Sequence, residues 1–123
     1  MEPAAAVLDR YATANLELAG VAIPHGDLVI LSMASANRDE ALFADPDRFD
    51  PQRANAKLHT TFATGPHVCL GMHLARLEAR EAITGLARRL PELQADAARP
   101  SQPQGLVFRK PPSLWATWHA NSA

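Results

Sequence analysis

Leu16 and Leu18 alternate with Asn15 and Glu17, and Val21 and Ile23 flank Ala22 just beyond Gly20. That period of two predicts two short extended segments meeting at the glycine. Pro24-His25-Gly26-Asp27 follows and reads as a turn. The run Leu28 to Ala34, interrupted only by Ser32, is apolar enough for a strand or a helix, and periodicity does not separate the two. Ala34-Ser35-Ala36 favours a helix or a helical end there. From Asn37 to His59 the chain is polar and broken by Pro46 and Pro51, which predicts irregular structure. Leu70 to Leu90 is the clearest helix. Leu70, Leu74 and Leu77 line one edge, and Ala75, Ala79, Ala82, Ile83, Leu86 and Leu90 extend the apolar face. Arg88 and Arg89 suit its negative end, Pro91 stops it, and Gly85 weakens it by about 1 kcal/mol. Residues 95–104 read as loop. Leu106-Val107-Phe108 and Leu114 to Trp118 are expected to close a hairpin over Pro111-Pro112. Residues 1–13 show no strong period, and no internal repeat is present.

Composition narrows the class. The chain has 123 residues, 47% of them hydrophobic and 20% charged, with a formal net charge of −1. These are the proportions of a globular protein with a modest core. The basic excess of a nucleic-acid binder is absent. No apolar run approaches the roughly 20 residues that span a bilayer. Met1-Glu2-Pro3 lacks the basic and apolar regions of a signal peptide, so a cytoplasmic location is expected. A single cysteine excludes an internal disulfide, and lone cysteines are more often inert buried side chains than reactive ones.

The neighbourhood of Cys69 points elsewhere. Phe62-Ala63-Thr64-Gly65-Pro66-His67-Val68-Cys69-Leu70-Gly71 runs directly into the long amphipathic segment. A cysteine at a helix N-terminus meets unpaired N–H groups and the positive end of the dipole, which favour a thiolate. Gly65 and Gly71 let backbone come close to a flat ligand.

The pattern Phe-x-x-Gly-x-His-x-Cys-x-Gly resembles the haem-binding signature of cytochromes P450, with all five signature positions matched. The continuation Leu70 to Glu78 looks like the family's helix after the cysteine. Arg10 to Gly20, Ile23 to Gly26, Ala36 to Asp39 and Pro46 to Phe49 resemble, in order, segments that precede the cysteine loop in bacterial members. The resemblance implies the C-terminal part of the P450 fold, mainly α with small β segments (α+β): a meander, a cysteine-ligand loop and a long helix. It implies haem b (iron protoporphyrin IX) as cofactor and Cys69 as the thiolate ligand to its iron, both catalytic and metal-binding. Phe62 would pack on the proximal side, and Gly65 and Gly71 would border the ring. His67 and Arg10 would hold the propionates, and Arg48 looks like the meander arginine. Val7, Leu8, Leu106 and Val107 would line the substrate pocket. The activity implied is insertion of one oxygen atom from O2 into a small organic substrate. Electrons would come from a ferredoxin- or flavodoxin-type donor docking near His73 and Arg76. No nucleic-acid or membrane partner is implied.

The family's Glu-x-x-Arg helix and its central acid–threonine helix have no counterpart in the 123 residues. The expectation is therefore a partial P450 domain over 1–123, with doubtful turnover and poor stability in isolation. A truncated, non-catalytic fragment that at most binds haem is the alternative. Two other chemistries use the same residues: a cysteine nucleophile with His67 or His73 as base, and zinc held by His67, Cys69 and His73. The first lacks an evident orienting group, and H-x-C-x3-H is a poor zinc pattern.

Overall fold

A computed structural model describes residues 2–119. Two compact units divide the chain. The first runs to Thr61 and adds Gly105–Arg109. The second is Phe62–Gln104 with the residues from Lys110 onward.

In the first unit, strand β1 (Val7–Tyr11) pairs antiparallel with β4 (Leu28–Ser32), Leu8 opposite Leu31 and Arg10 opposite Val29. Residues 1–13, without a period, thus hold a five-residue strand. Its alternation is masked because Val7 and Leu8 are adjacent apolar residues on opposite faces. Strands β2 (Leu16–Leu18) and β3 (Val21–Ile23) form the expected hairpin. Its two-residue turn places Ala19 at φ 51° and Gly20 at φ 80°, as a type I′ turn requires at both positions. The Pro24–Asp27 turn is tied back by Gly26 N–H to the Ala12 carbonyl at 2.8 Å. The apolar run then divides at Ser32, where the strand ends. The Ser32 hydroxyl accepts from Ser35 N–H at 3.2 Å and caps the single-turn helix α1 (Met33–Ala36).

Beyond α1 the chain is irregular, as its composition requires, except for one 3₁₀ turn at Ala56–Leu58. Its order comes from side chains. Asp39 and Asp50 each accept from the N–H two residues on, at 2.9 Å. The Arg53 guanidinium donates to the carbonyls of Ala44, Asp45 and Arg48. The buried residues of this unit are few: Pro3, Ala6, Ala12, Met33, Asn37 and Phe43.

The second unit is built on α2 (Met72–Arg89), 18 residues long and shorter by two at its start and one at its end than the apolar pattern. None of its side chains is buried, and Leu74, Ile83 and Leu86 stand 59%, 66% and 48% exposed. The hairpin expected between 106–108 and 114–118 does not form. Strand β6 (Ala116–Thr117) pairs instead with β5 (Gln94–Ala95), and Phe108 bridges to Ala5 within the first unit. The reason is local: Asp96 N–H donates to the Trp115 carbonyl at 2.9 Å, and Arg99 lies 4.2 Å from the Trp115 ring centre while bonded to Asp96 at 2.7 Å. Among the described residues no helix is long and apolar enough to cross a membrane.

Candidate functional site

The segment leading into α2 is a closed loop. Its ends meet where the Cys69 N–H donates to the Phe62 carbonyl at 2.8 Å. Between them Gly65–His67 makes a 3₁₀ turn, with Pro66 presetting φ and Val68 N–H donating to Gly65. Two residues take left-handed conformations, Ala63 at φ 57° and Gly65 at φ 69°. Gly65 does so without strain, whereas Ala63 carries a Cβ that disfavours it. Met72 N–H donates to the Cys69 carbonyl at 3.2 Å, and Gly71 is the N-cap of α2. Neither a side-chain cap nor an acidic residue shields the first turn, so the positive end of α2 begins two residues after Cys69. Cys69 itself is a free, exposed thiol.

The structure gathers Phe62, Gly65, His67, Cys69 and Gly71 into this one loop. The arrangement suits a flat ligand bonded through sulfur. The thiol is open, and a Cβ built on Gly65 or Gly71 would have no atom within 4 Å. His67 and His73 are both exposed. Neither imidazole is hydrogen-bonded to Cys69 among the described residues, which leaves the nucleophile reading without a base. Nor do any three His, Cys, Asp or Glu side chains among them cluster to hold a metal ion, so zinc held by His67, Cys69 and His73 finds no geometry. Arg76, expected to face a docking partner together with His73, is exposed and places its guanidinium carbon 5.1 Å from the Phe62 ring centre.

The remaining expected residues lie in the first unit. Arg10 is half-buried on β1, and one guanidinium nitrogen donates to the Asp9 carbonyl at 2.8 Å. Leu8 shares its face of the strand, and Val7 is on the other. Val7 and Leu106 meet at an open depression of about 450 Å³ that also has Glu2, Arg38 and Arg109 in its wall. Val107 is outside that lining, and its carbonyl accepts from Ala6 N–H at 2.8 Å. Arg48 is exposed beside a cavity of about 330 Å³ lined also by Phe43, Phe49, Arg53 and His59. Its guanidinium has no ion pair among the described residues.

Sequence reasoning missed a charged network. Glu2 accepts from Arg109 Nε at 2.7 Å and from Arg38 Nη2 at 2.9 Å, while Arg38 Nε reaches Asp47 at 2.7 Å. The Arg109 hydrogen bond, then that of Arg38, holds the Glu2 carboxyl below its ordinary range. Asp47 and Glu2 in turn raise Arg38. It also gave no role to Asn37, the one buried polar residue among those described.

Comparison with known proteins gives this geometry a family. The profile of the family described as cytochrome P450 matches residues 1–115. The 20-oxo-5-O-mycaminosyltylactone 23-monooxygenase of Streptomyces fradiae is 46% identical over 87 residues, which is 71% of this chain and 20% of that protein. Nocardicin C N-oxygenase of Nocardia uniformis subsp. tsuyamanensis is 41% identical over 111 residues, 89% of this chain and 28% of that one. A crystal structure of P450BioI with hexadec-9Z-enoic acid ligated acyl carrier protein superposes with a TM-score of 0.87 at 38% identity, covering 96% of this chain and 30% of that one. The chain thus spans between a fifth and just over a quarter of the length of these curated relatives. With residues 1–115 matched by the family profile and the same backbone present in a solved member, this chain belongs to the cytochrome P450 family.

Proposed function

We propose that this chain supplies the haem-thiolate end of a monooxygenase. The observation that carries the reading is the closed Phe62–Gly71 loop, with an exposed cysteine presented directly ahead of an uncapped helix N-terminus. Family membership implies a haem cofactor, and haem b is the form proposed. Cys69 holds the iron through its sulfur and acts as both metal ligand and catalytic residue. Phe62 shields the sulfur. Gly65 and Gly71 leave room for the porphyrin edge, His67 hydrogen-bonds one propionate and Arg10 pairs with a propionate. Bound there, haem supplies the iron that activates O2 for transfer of one oxygen atom to a small organic substrate. Val7, Leu8, Leu106 and Val107 are proposed to border that substrate. A ferredoxin- or flavodoxin-type donor delivers electrons on the side of His73 and Arg76, and the whole works in the cytoplasm. Relatives named as a 23-monooxygenase and an N-oxygenase support the reaction class.

Residues 1–123 are proposed as a partial P450 domain within a larger, mainly α fold with small β segments. Coverage of at most 28% of these curated relatives favours assigning haem binding, and not turnover, to the 123 residues alone. Oxygenation of a substrate needs a dry, shaped pocket around the iron. The deciding measurement is the spectrum of the reduced, haem-loaded protein under carbon monoxide. A strongly red-shifted Soret band, lost in Cys69→Ala, is expected. Equal haem uptake and an unchanged spectrum in Cys69→Ala would overturn the assignment. Substrate-dependent turnover by the 123-residue protein would remove the restriction to binding.

A further inference from the structure

We propose that Arg76 is a positioning residue for the Cys69 ligand loop, acting through its stack on Phe62; the inference rests on the haem-thiolate reading above. The Arg76 guanidinium carbon is 5.1 Å from the Phe62 ring centre, inside the roughly 6 Å over which a cation is attracted to an aromatic face. Phe62 in turn offers its carbonyl to the Cys69 N–H at 2.8 Å. Arg76 belongs to the second turn of α2, so the helix that leaves the ligand residue reaches back to the residue where the loop began. The loop is thereby fastened twice at Phe62, once through its backbone and once through its ring.

The loop has a physical need for such a fastening. Ala63, next to Phe62, sits at φ 57°, a conformation that persists only where neighbouring contacts hold it. No carboxylate pairs with Arg76 among the described residues, so its charge remains available on the loop side of the helix. The guanidinium has two separable effects: a cation–π contact over the ring that holds it, and a positive charge that would favour the reduced, more electron-rich state of a bound haem.

Two substitutions separate these effects in the full chain. Without cofactor, exchange of the Cys69 amide hydrogen reports opening of its bond to Phe62. We expect it to rise about two- to fivefold in Arg76→Ala, the range carried by an exposed cation–π contact. Arg76→Lys keeps the charge and loses the planar guanidinium, and exchange is expected between wild type and Arg76→Ala. With haem loaded, the reduction potential moves negative in Arg76→Ala and stays near wild type in Arg76→Lys. An unchanged Cys69 exchange rate in Arg76→Ala overturns the proposal. So does a potential that shifts equally in both variants, since the charge would then have no part. A wild type that takes up no haem overturns the functional reading and the effect on the iron, while the exchange measurement still decides the stack.

Discussion

Asn37 places its side-chain oxygen 2.7 Å from the main-chain nitrogen and 3.0 Å from the hydroxyl of Thr60. Its amide nitrogen donates to the Thr61 hydroxyl at 3.2 Å. One buried residue, 3% exposed, therefore serves the segment that runs into Phe62 through its side chain and ends α1 through its backbone N–H.

Replacing it removes the acceptor that a partly buried backbone N–H depends on. Asn37→Ala should cost about 1–3 kcal/mol, because the Thr60 N–H loses its partner. Asn37→Asp keeps the acceptor but buries an unpaired carboxylate at a site 3% exposed, so at neutral pH it should cost at least as much as Asn37→Ala. Urea midpoints of the two variants against wild type test this, and an Asn37→Ala midpoint equal to wild type would remove the anchoring role.

How much of this was readable in advance depends on where partners lie along the chain. The β2–β3 hairpin and helix α2 were legible because their partners are adjacent and their periods uninterrupted. Strand β1 was not, since its pairing partner for Arg10 is Val29, across the intervening hairpin. Polar Gln94 announces no strand, and its pairing with Thr117 replaced the hairpin expected over Pro111-Pro112. The closed loop before α2 stood out as a unit because its ten residues are contiguous. The Glu2–Arg109 pair bridges 107 positions, and no spacing rule links them. The same holds for Arg76 and Phe62, whose contact depends on how the loop turns.

The Glu2 network makes stability depend on pH. Hydrogen bonds from Arg109 and then Arg38 lower the folded-state pKa of Glu2 from 4.5. The carboxylate's contribution is therefore fully present above about pH 4.5, the unfolded value, and is lost as pH falls through the depressed folded value. With the side chains of the pair 31% and 35% exposed, the contribution is modest. Denaturant midpoints measured from pH 7 downward should separate wild type from Glu2→Gln by a constant amount, and the gap should close in acid. Parallel curves across that window would deny the network any role.

The two motif glycines should respond differently to the same substitution. Gly65→Ala puts a Cβ at φ 69° and should cost about 1–2 kcal/mol, with no steric clash to add to it. Gly71 has φ −83°, open to any residue, and nothing within 4 Å of a Cβ. Gly71→Ala should therefore change stability by no more than about 0.5 kcal/mol. Its haem uptake should nonetheless fall, because the new methyl occupies space proposed for the porphyrin. Denaturation and haem titration of both variants check this, and full uptake by Gly71→Ala would mean that the ring does not approach there.

Ala63 offers the opposite experiment, a substitution expected to stabilise. Its φ of 57° costs an L-residue about 1–2 kcal/mol, a penalty that glycine does not incur. Against that relief stands the greater freedom glycine gives the unfolded chain, worth about 0.4–1 kcal/mol. The relief is the larger effect, and Ala63→Gly should raise stability by about 0.5–1 kcal/mol. Ala79→Gly, on the exposed interior of α2, supplies the control: there glycine should lower stability by about 1 kcal/mol. Opposite shifts of the two urea midpoints would locate strain at the start of the closed loop before α2. A loss in Ala63→Gly equal to that in Ala79→Gly would show that the alanine is held without strain, and the need for Arg76 to fasten Phe62 would weaken with it.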